Sequence, residues 1–245
     1  MNYYDIPCTN PWWNMAFDEW LLQCGPDEPV FRLWRNEPSV IIGHNQVAAQ
    51  EVNLEYLRQN GIKLARRVTG GGAVYHDLQN LNYSFAGPIG SVCPDLFAEA
   101  LQSLGLPAEL SGRNDIFVEG RKISGYARSV WHNRELVHGT LMYDVDIDTL
   151  TAALNVEGSS KLNLKGVASV RSRVTNVRDY LPQFASLDEL ESALLRILAE
   201  NDGESLMAGT STASGTKLQL FLDQLAAIDS LASEKFAAPE WLYKR

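Results

Sequence analysis

Apolar residues recur at two different periods in the first quarter of the chain. Asn10-Pro11 is followed by WWNMAFDEWLLQC, where Trp13, Phe17, Trp20, Leu21 and Cys24 fall on one stripe at helical spacing and Gly25-Pro26 supplies a stop. A capping side chain ahead of a proline predicts a helix beginning near residue 11. VFRLW (30–34) and SVIIG (39–43) are instead short β-rich runs. The polar, proline-containing segment Arg35-Asn36-Glu37-Pro38 between them predicts a hairpin. Asn53 then caps a short helical run, LEYLRQN, closed by Gly61.

KLARRV, AVYH and LNYSF read as successive strands interrupted by Gly70-Gly71-Gly72, and PDLFAEALQSLG as a helix started by proline and ended by glycine. NDIFV and RKISGYARSV flank Glu119-Gly120 as a hairpin. LVHGTLMYDVDI follows the turn His132-Asn133-Arg134-Glu135, so the centre predicts an antiparallel meander. After Pro182, SLDELESALLRILAEN is an amphipathic helix with Ser186 and Glu189 spaced as a capping box. GTSTASGT (209–216) reads as a loop before a last helical pattern through about Phe236. Helix and strand periods interleave throughout, which predicts a mixed α/β molecule of the α+β kind, with central, mostly antiparallel sheets flanked by helices. We expect one catalytic unit over residues 1–245, with 183–245 a helical C-terminal portion.

Composition narrows the function. At 45% hydrophobic and 21% charged, 245 residues can bury a full core. A net charge of -9 argues against a nucleic-acid binder, because phosphate contacts need a basic surface. The charge is uneven: residues 1–60 and 181–245 each carry -5, while 61–180 carry +1. An anionic ligand is least repelled in the middle of the chain. No apolar run of about 18 residues is present, and MNYYDIPCTN lacks a basic start and an apolar stretch, so the expectation is a cytoplasmic protein with no membrane partner. Cys8, Cys24 and Cys93, without CxxC spacing, are expected to be free thiols.

In the central region, Gly70-Gly71-Gly72 leaves backbone N–H groups open to phosphate oxygens, with Arg66 or Arg67 as compensating charge. The stretch is neither a Walker loop nor a dinucleotide fingerprint, since no GK[ST] follows and GxGxxG is absent. Taken alone it reads equally as a glycine turn beside two arginines. The longer string RRVTGGGAVYHDLQNLNYSF, however, closely resembles the signature of lipoate-protein ligases. SGRNDIFVEGRKISGYA resembles that family's lysine-bearing segment, HGTLMYDVDI the strand after it, and KLNLKGVASVRSRVTNVRDYLP its later arginine- and serine-rich block. The blocks occur in order from the first helix to about Pro182.

The resemblance to the lipoate-protein ligase A family, within the biotin and lipoate ligase superfamily, implies a fold related to class II aminoacyl-tRNA synthetases. It implies ATP and Mg²⁺ as co-substrate and activator, lipoate as substrate, and a lipoyl-AMP intermediate. Acceptors would be apo lipoyl domains of 2-oxoacid dehydrogenase E2 subunits and the glycine-cleavage H protein. By the same resemblance Lys122 is the central catalytic residue, offsetting charge at the α-phosphate. Arg67, Gly71, Gly72, Ala73, Val74 and Tyr75 match the nucleotide-binding stretch, with Tyr75 able to pack against adenine, and Arg66 is a supporting residue. Asn114 and Asp115 are either a turn-initiating pair or groups at the same site, Asp115 orienting Mg²⁺ or Lys122. Trp34, His76 and His138 are either ordinary core side chains or the walls of a lipoate pocket. Tyr126 stands where the family has a small or amide residue, which is expected to alter the pocket's shape.

Competing readings remain at this level. The chain ends at PEWLYKR, about where a family accessory domain would begin, so the accessory domain is expected to be absent. That leaves open a ligase needing a separate accessory protein, or a lipoyl or octanoyl transferase fed with acyl-AMP or an acyl carrier. A thioester-forming transferase would need a cysteine beside the substrate. A biotin ligase would carry an alternating GRGRxxR-like motif, which is missing, and a simple binding module would have no need of Lys122 and Arg67.

Overall fold

The computed structural model describes residues 1–111, 114–154, 173–200 and 215–244. The later arginine- and serine-rich block therefore lies outside the described residues up to position 172, as do positions 209–214 of the expected loop.

The first helix, α1 (Pro11–Cys24), begins where the cap and proline place it: Asn10 accepts from the backbone N–H groups of Trp12 and Trp13, at 3.0 and 3.4 Å. Two strands follow, β2 (Val30–Trp34) and β3 (Ser39–Ile42), after a first strand β1 (Asn2–Tyr4). The expected hairpin between β2 and β3 does not form. β2 pairs with β1 and with β6 (Asn80–Pro88), whereas β3 belongs to a separate sheet between β4 (Lys63–Arg66) and β5 (Val74–His76). Both β2 and β3 are buried throughout, so neither had a solvent face to fix their pairing in the sequence.

Two short helices, α2 (Ala48–Glu51) and α3 (Leu54–Gln59), lead into β4; α3 is capped by Asn53. Helix α4 (Leu96–Ser103) follows β6. The meander then appears as β7 (Glu109–Ser111), β8 (Asp115–Val118), β9 (Arg121–Trp131) and β10 (Arg134–Met142). With β1, β2, β6 and the two-residue β11 (Lys217–Leu218), these strands make an eight-stranded sheet ordered β11-β1-β2-β6-β10-β9-β8-β7. Pairing is antiparallel from β2 to β7 and parallel only at β11-β1-β2.

Helix α5 (Ile147–Ala153) precedes the next described stretch. The capped helix α6 (Leu187–Ala199), α7 (Leu222–Leu231) and the short α8 (Pro239–Leu242) follow, with a 3-10 turn at Arg178–Tyr180 and a π-helical turn at Ala232–Phe236. The C-terminal portion is thus not purely helical, since β11 joins the large sheet beside β1.

Three apolar clusters set the layers. Leu81, Tyr83 and Phe85 of β6 and Phe31 and Leu33 of β2 face α4 and α6 through Phe97, Leu101, Leu190 and Leu194. The opposite face of β2 meets α1 and α7, with Trp34 beside Phe17 and Trp20. Val40, Ile42 and Tyr75 form the outer face of the three-stranded sheet, covered by α3, α5 and α8. Between the inner faces of the two sheets lies the molecule's polar interior. β6 is buried along nearly its whole length even though its alternate positions are Asn80, Asn82 and Ser84. A strand with polar alternate residues and no solvent face must satisfy them internally, which marks the space between the sheets as a site.

Candidate active site between the two sheets

A cavity of about 760 Å³, counting its open mouth, fills that space. From the large sheet come Trp34, Asn82, Lys122, Gly125, Ala127, His138 and Thr140; from the small sheet and its glycine loop come Ile41, Arg67, Gly71, Gly72, Ala73, Val74 and His76. Strand alternation explains the selection, since Trp34, Asn82 and Thr140 are in register across β2, β6 and β10, as are Ala127 and His138 across β9 and β10.

Lys122 stands where β9 separates from β10. Its backbone bridges Val174 on one side, donating to Arg173 O at 2.8 Å and accepting from Thr175 N at 3.0 Å, and faces Phe117 on the other. The ammonium pairs with Asp115 Oδ1 at 2.7 Å, with both side chains partly exposed at 40% and 32%. Asp115 thus orients Lys122. Gly125 makes the space for this pair, because a Cβ there would come within 2.9 Å of Asp115 Oδ1 and of Lys122 Nζ and Cε. Asn114 closes the turn by exchanging hydrogen bonds with the backbone of Tyr126.

The glycine loop is held from beneath. Arg67 is 8% exposed and donates to Ile41 O (3.1 Å), Gly70 O (3.1 and 2.7 Å), Gly72 O (2.7 Å) and Thr69 Oγ1 (3.1 Å). Burial lowers its pKa to about 10, so it remains a cation at neutral pH. Its donors are spent on carbonyls, which aims the loop's N–H groups elsewhere. Gly71 takes φ +97° and lies against that guanidinium. Arg66, fully buried, donates to the carbonyls of Gly43, His44, Gln46, Trp241, Leu242 and Lys244, tying the loop's base to α8.

A buried polar chain continues from Arg67. Thr69 Oγ1 meets His138 Nε2 at 2.6 Å, and His138 Nδ1 meets Asp18 Oδ2 at 2.7 Å. Asp18 Oδ1 accepts from Ser84 Oγ at 2.7 Å, which in turn accepts from Trp34 Nε1 at 2.9 Å. Arg32 lies 3.7 Å from Asp18 and over the rings of Phe17 and Trp34. His138 therefore offers the cavity a ring edge, with both nitrogens engaged. His76 differs: Asn36 Nδ2 donates to its Nδ1 at 3.1 Å, and burial, with Arg67 and His138 nearby, pushes its pKa down to about 3.

Ten of the eleven expected side chains and glycines other than Tyr75 converge here: all but Asp115 line the cavity, and Asp115 holds one that does. Tyr75 does not join them. Its neighbours Val74 and His76 face the cavity, so alternation turns Tyr75 to the outer cluster beside Val40 and Ile42, away from any ligand in the cavity. Tyr126 does line the cavity, at a position where it also packs against the core cluster of the large sheet. Asp18, Thr69, Asn82 and Ser84 were missed. The available signals were Asn14 and Asp18 four apart, one helical turn along the first helix, and the Asn-x-Asn-x-Ser alternation of β6. No cysteine lines the cavity, and Cys8, Cys24 and Cys93 are free thiols.

A glycine loop walls this two-sheet cavity, and a paired lysine stands among its lining residues. Residues 10–199 match the lipoyl protein ligase A/B catalytic domain, and the chain belongs to that family. It is 38% identical over 249 residues to lipoate-protein ligase LplJ of Bacillus subtilis (strain 168), covering 97% of this chain and 71% of that protein. Among solved structures it resembles a bi-partite lipoate protein ligase from Thermoplasma acidophilum, studied with its E2 lipoyl domain (TM-score 0.82, 31% identity, 99% of this chain and 95% of that one). It also resembles a lipoate-protein ligase A bound with ATP (TM-score 0.81, 30% identity, 99% and 98% covered).

Proposed function

We propose that the chain is a lipoate-protein ligase that activates lipoate with ATP and passes the lipoyl group to a lysine of an apo lipoyl domain. The observation that carries the reading is the placement of Lys122, held by Asp115 in the wall of a cavity whose other walls are the glycine loop and a buried slot in which Trp34, Ile41 and Val74 alternate with polar side chains. In the first step a lipoate carboxylate oxygen bonds to the α-phosphorus of ATP, the bridge to the β-phosphate breaks, and pyrophosphate leaves. In the second, the acceptor lysine's amine attacks the acyl carbonyl and AMP leaves. Negative charge builds on phosphate and acyl oxygens in both steps, where a fixed ammonium is most useful.

In this reading Gly71, Gly72, Ala73 and Val74 lie along the nucleotide, Arg67 supplies positive charge beneath it, and Asn114 shapes the mouth. Trp34, His76 and His138 wall the lipoate slot. Mg²⁺ enters with the ATP phosphates, and Asp115, paired with Lys122 at 2.7 Å, is the carboxylate this reading places beside it. The acceptors in this reading are E2 lipoyl domains, supported by a relative of similar fold studied with its E2 lipoyl domain, and, by family resemblance alone, the glycine-cleavage H protein. Free thiols support a cytoplasmic location, and no described helix is long and apolar enough to cross a membrane.

The test is purified protein with lipoate, ATP, Mg²⁺ and an apo lipoyl domain, following pyrophosphate release and acceptor mass. Both should appear. Absence of pyrophosphate with acceptor modification from supplied lipoyl-AMP would identify a transferase. Recovery only on adding a second protein would identify a bipartite ligase, as in the Thermoplasma relative.

A further inference from the structure

Asp18 is an acid that the proposed chemistry does not use. It lies on α1, is 1% exposed and does not line the cavity. A carboxylate so deeply buried is costly unless both oxygens are engaged, and both are. Oδ2 faces His138 Nδ1 at 2.7 Å; a carboxylate oxygen only accepts, so Nδ1 carries the ring proton. In the neutral ring Nε2 is then an acceptor, and the Thr69 hydroxyl, 2.6 Å away, donates to it. Thr69 Oγ1 in turn accepts from Arg67 Nε at 3.1 Å. On the other side Oδ1 accepts from Ser84 Oγ at 2.7 Å, and Ser84 accepts from Trp34 Nε1 at 2.9 Å. Both chains run from donor to acceptor in one sense and end on the same carboxylate.

The two chains reach different parts of the site. Thr69 opens the glycine loop, which joins two strands of the small sheet, whereas His138 stands on β10 of the large one. Their bond is a clasp between the sheets that enclose the cavity. Thr69 O also accepts from His44 N at 2.8 Å, and Arg67 holds the carbonyls of Gly70 and Gly72, so a displaced Thr69 carries the loop with it. Trp34 walls the acyl slot, fixed through Ser84 and by Arg32, which lies over its ring and 3.7 Å from Asp18 Oδ1. The order acid, histidine, hydroxyl resembles a nucleophile triad, but Thr69 is 1% exposed and outside the cavity lining, which makes it a link and not a nucleophile. We propose that Asp18 is a positioning residue with two arms, one through His138 to Thr69 and the glycine loop, the other through Ser84 to Trp34 and the acyl slot. Affinity for nucleotide and for acid then both depend on a side chain that touches neither. The inference rests on the reading of the cavity as a nucleotide and acyl pocket.

The experiment is calorimetric titration of the full chain with MgATP and, separately, with lipoate. Asp18→Asn should weaken both by about fivefold, the scale of one lost hydrogen bond. Thr69→Val, which keeps the shape and removes the hydroxyl, should weaken MgATP by a similar factor, and adding Asp18→Asn to it should cost MgATP less than about twofold more, because that arm is already cut. Losses that multiply instead overturn the loop arm. Ser84→Ala should weaken lipoate by about fivefold, and unchanged lipoate affinity overturns the slot arm. Asp18→Asn also takes the partner of the buried Arg32, whereas Thr69→Val and Ser84→Ala leave that pair in place, so the arms are tested even where the Asn variant does not fold. The unaltered protein supplies a further readout: ¹⁵N spectra of its four histidine rings at neutral pH should show His138 protonated on Nδ1 alone, and a proton on Nε2 overturns the relay to Thr69. Binding that every variant leaves within about twofold overturns the proposal and leaves the pocket standing. Failure of the unaltered protein to bind either ligand overturns the pocket reading and the proposal with it.

Discussion

Single residues in this site act through the space and charge their neighbours leave them. Lys122→Ala should reduce pyrophosphate release at least about a hundredfold, the scale of a lost electrostatic donor, with the melting temperature nearly unchanged because the ammonium is partly exposed. Gly125→Ala should fall short of that but in the same direction, because the new methyl displaces Lys122 Nζ from Asp115; unaltered kinetics would mean the pair's geometry is immaterial. His76 has a folded pKa near 3 against an ordinary value of 6.5. A depressed histidine contributes stability above pH 6.5 that is lost as pH falls toward 3, since the unfolded chain takes up the proton first. Melting temperature should therefore decline as pH is lowered below about 6.5, and His76→Gln should flatten that part of the profile. Lys122 was legible in the sequence because RKISG embeds it in a family pattern. Asp18 and Asn82 were not, because an acidic residue on a helix and an asparagine alternating with core residues in a strand both read as solvent-facing until a second layer covers them.

Elements decide which of these residues meet. The glycine loop has its shape because two adjacent arginines point in opposite senses, Arg67 under the loop and Arg66 into the carbonyls of residues 43–46 and the C-terminal segment. Arg66→Ala would leave six carbonyl acceptors without this donor and should cost about 3 kcal/mol, read as a fall of roughly 10 °C in melting temperature, with weakened ATP binding as the loop loosens. A change under about 2 °C would refute that role. The sequence predicted α1, α3, α4, α6 and the β8–β9–β10 meander from caps, turns and period, all local signals. It missed the separation of β2 from β3, since two short, wholly buried strands with a polar link look alike whether they pair or part. Tyr75 failed for a related reason: the family pattern placed the right stretch, but period-2 alternation sends every second residue to the other face.

For the molecule as a whole, the two sheets and the helices between and around them hold the cavity open before any ligand arrives. Lipoate with ATP and Mg²⁺ should stabilise the fold, by about 2.7 kcal/mol at one hundred times the dissociation constant, and more than lipoate alone. Thermal melts with each ligand separately and together check this; no shift with any of them would exclude the cavity as the binding site. By itself the sequence determined the kinds of element, the antiparallel centre and the family, and it singled out a lysine that lines the cavity, because helix caps, turn residues and motifs are written in contiguous residues. Only the tertiary structure decided that the inner faces of two sheets enclose the polar positions of β6, that Arg67 serves the loop's carbonyls, and that His76 and Asn82 sit buried in the cavity wall, each with a nitrogen unpartnered among the described residues. Those facts depend on contacts between residues far apart in the chain, whose burial no local pattern encodes.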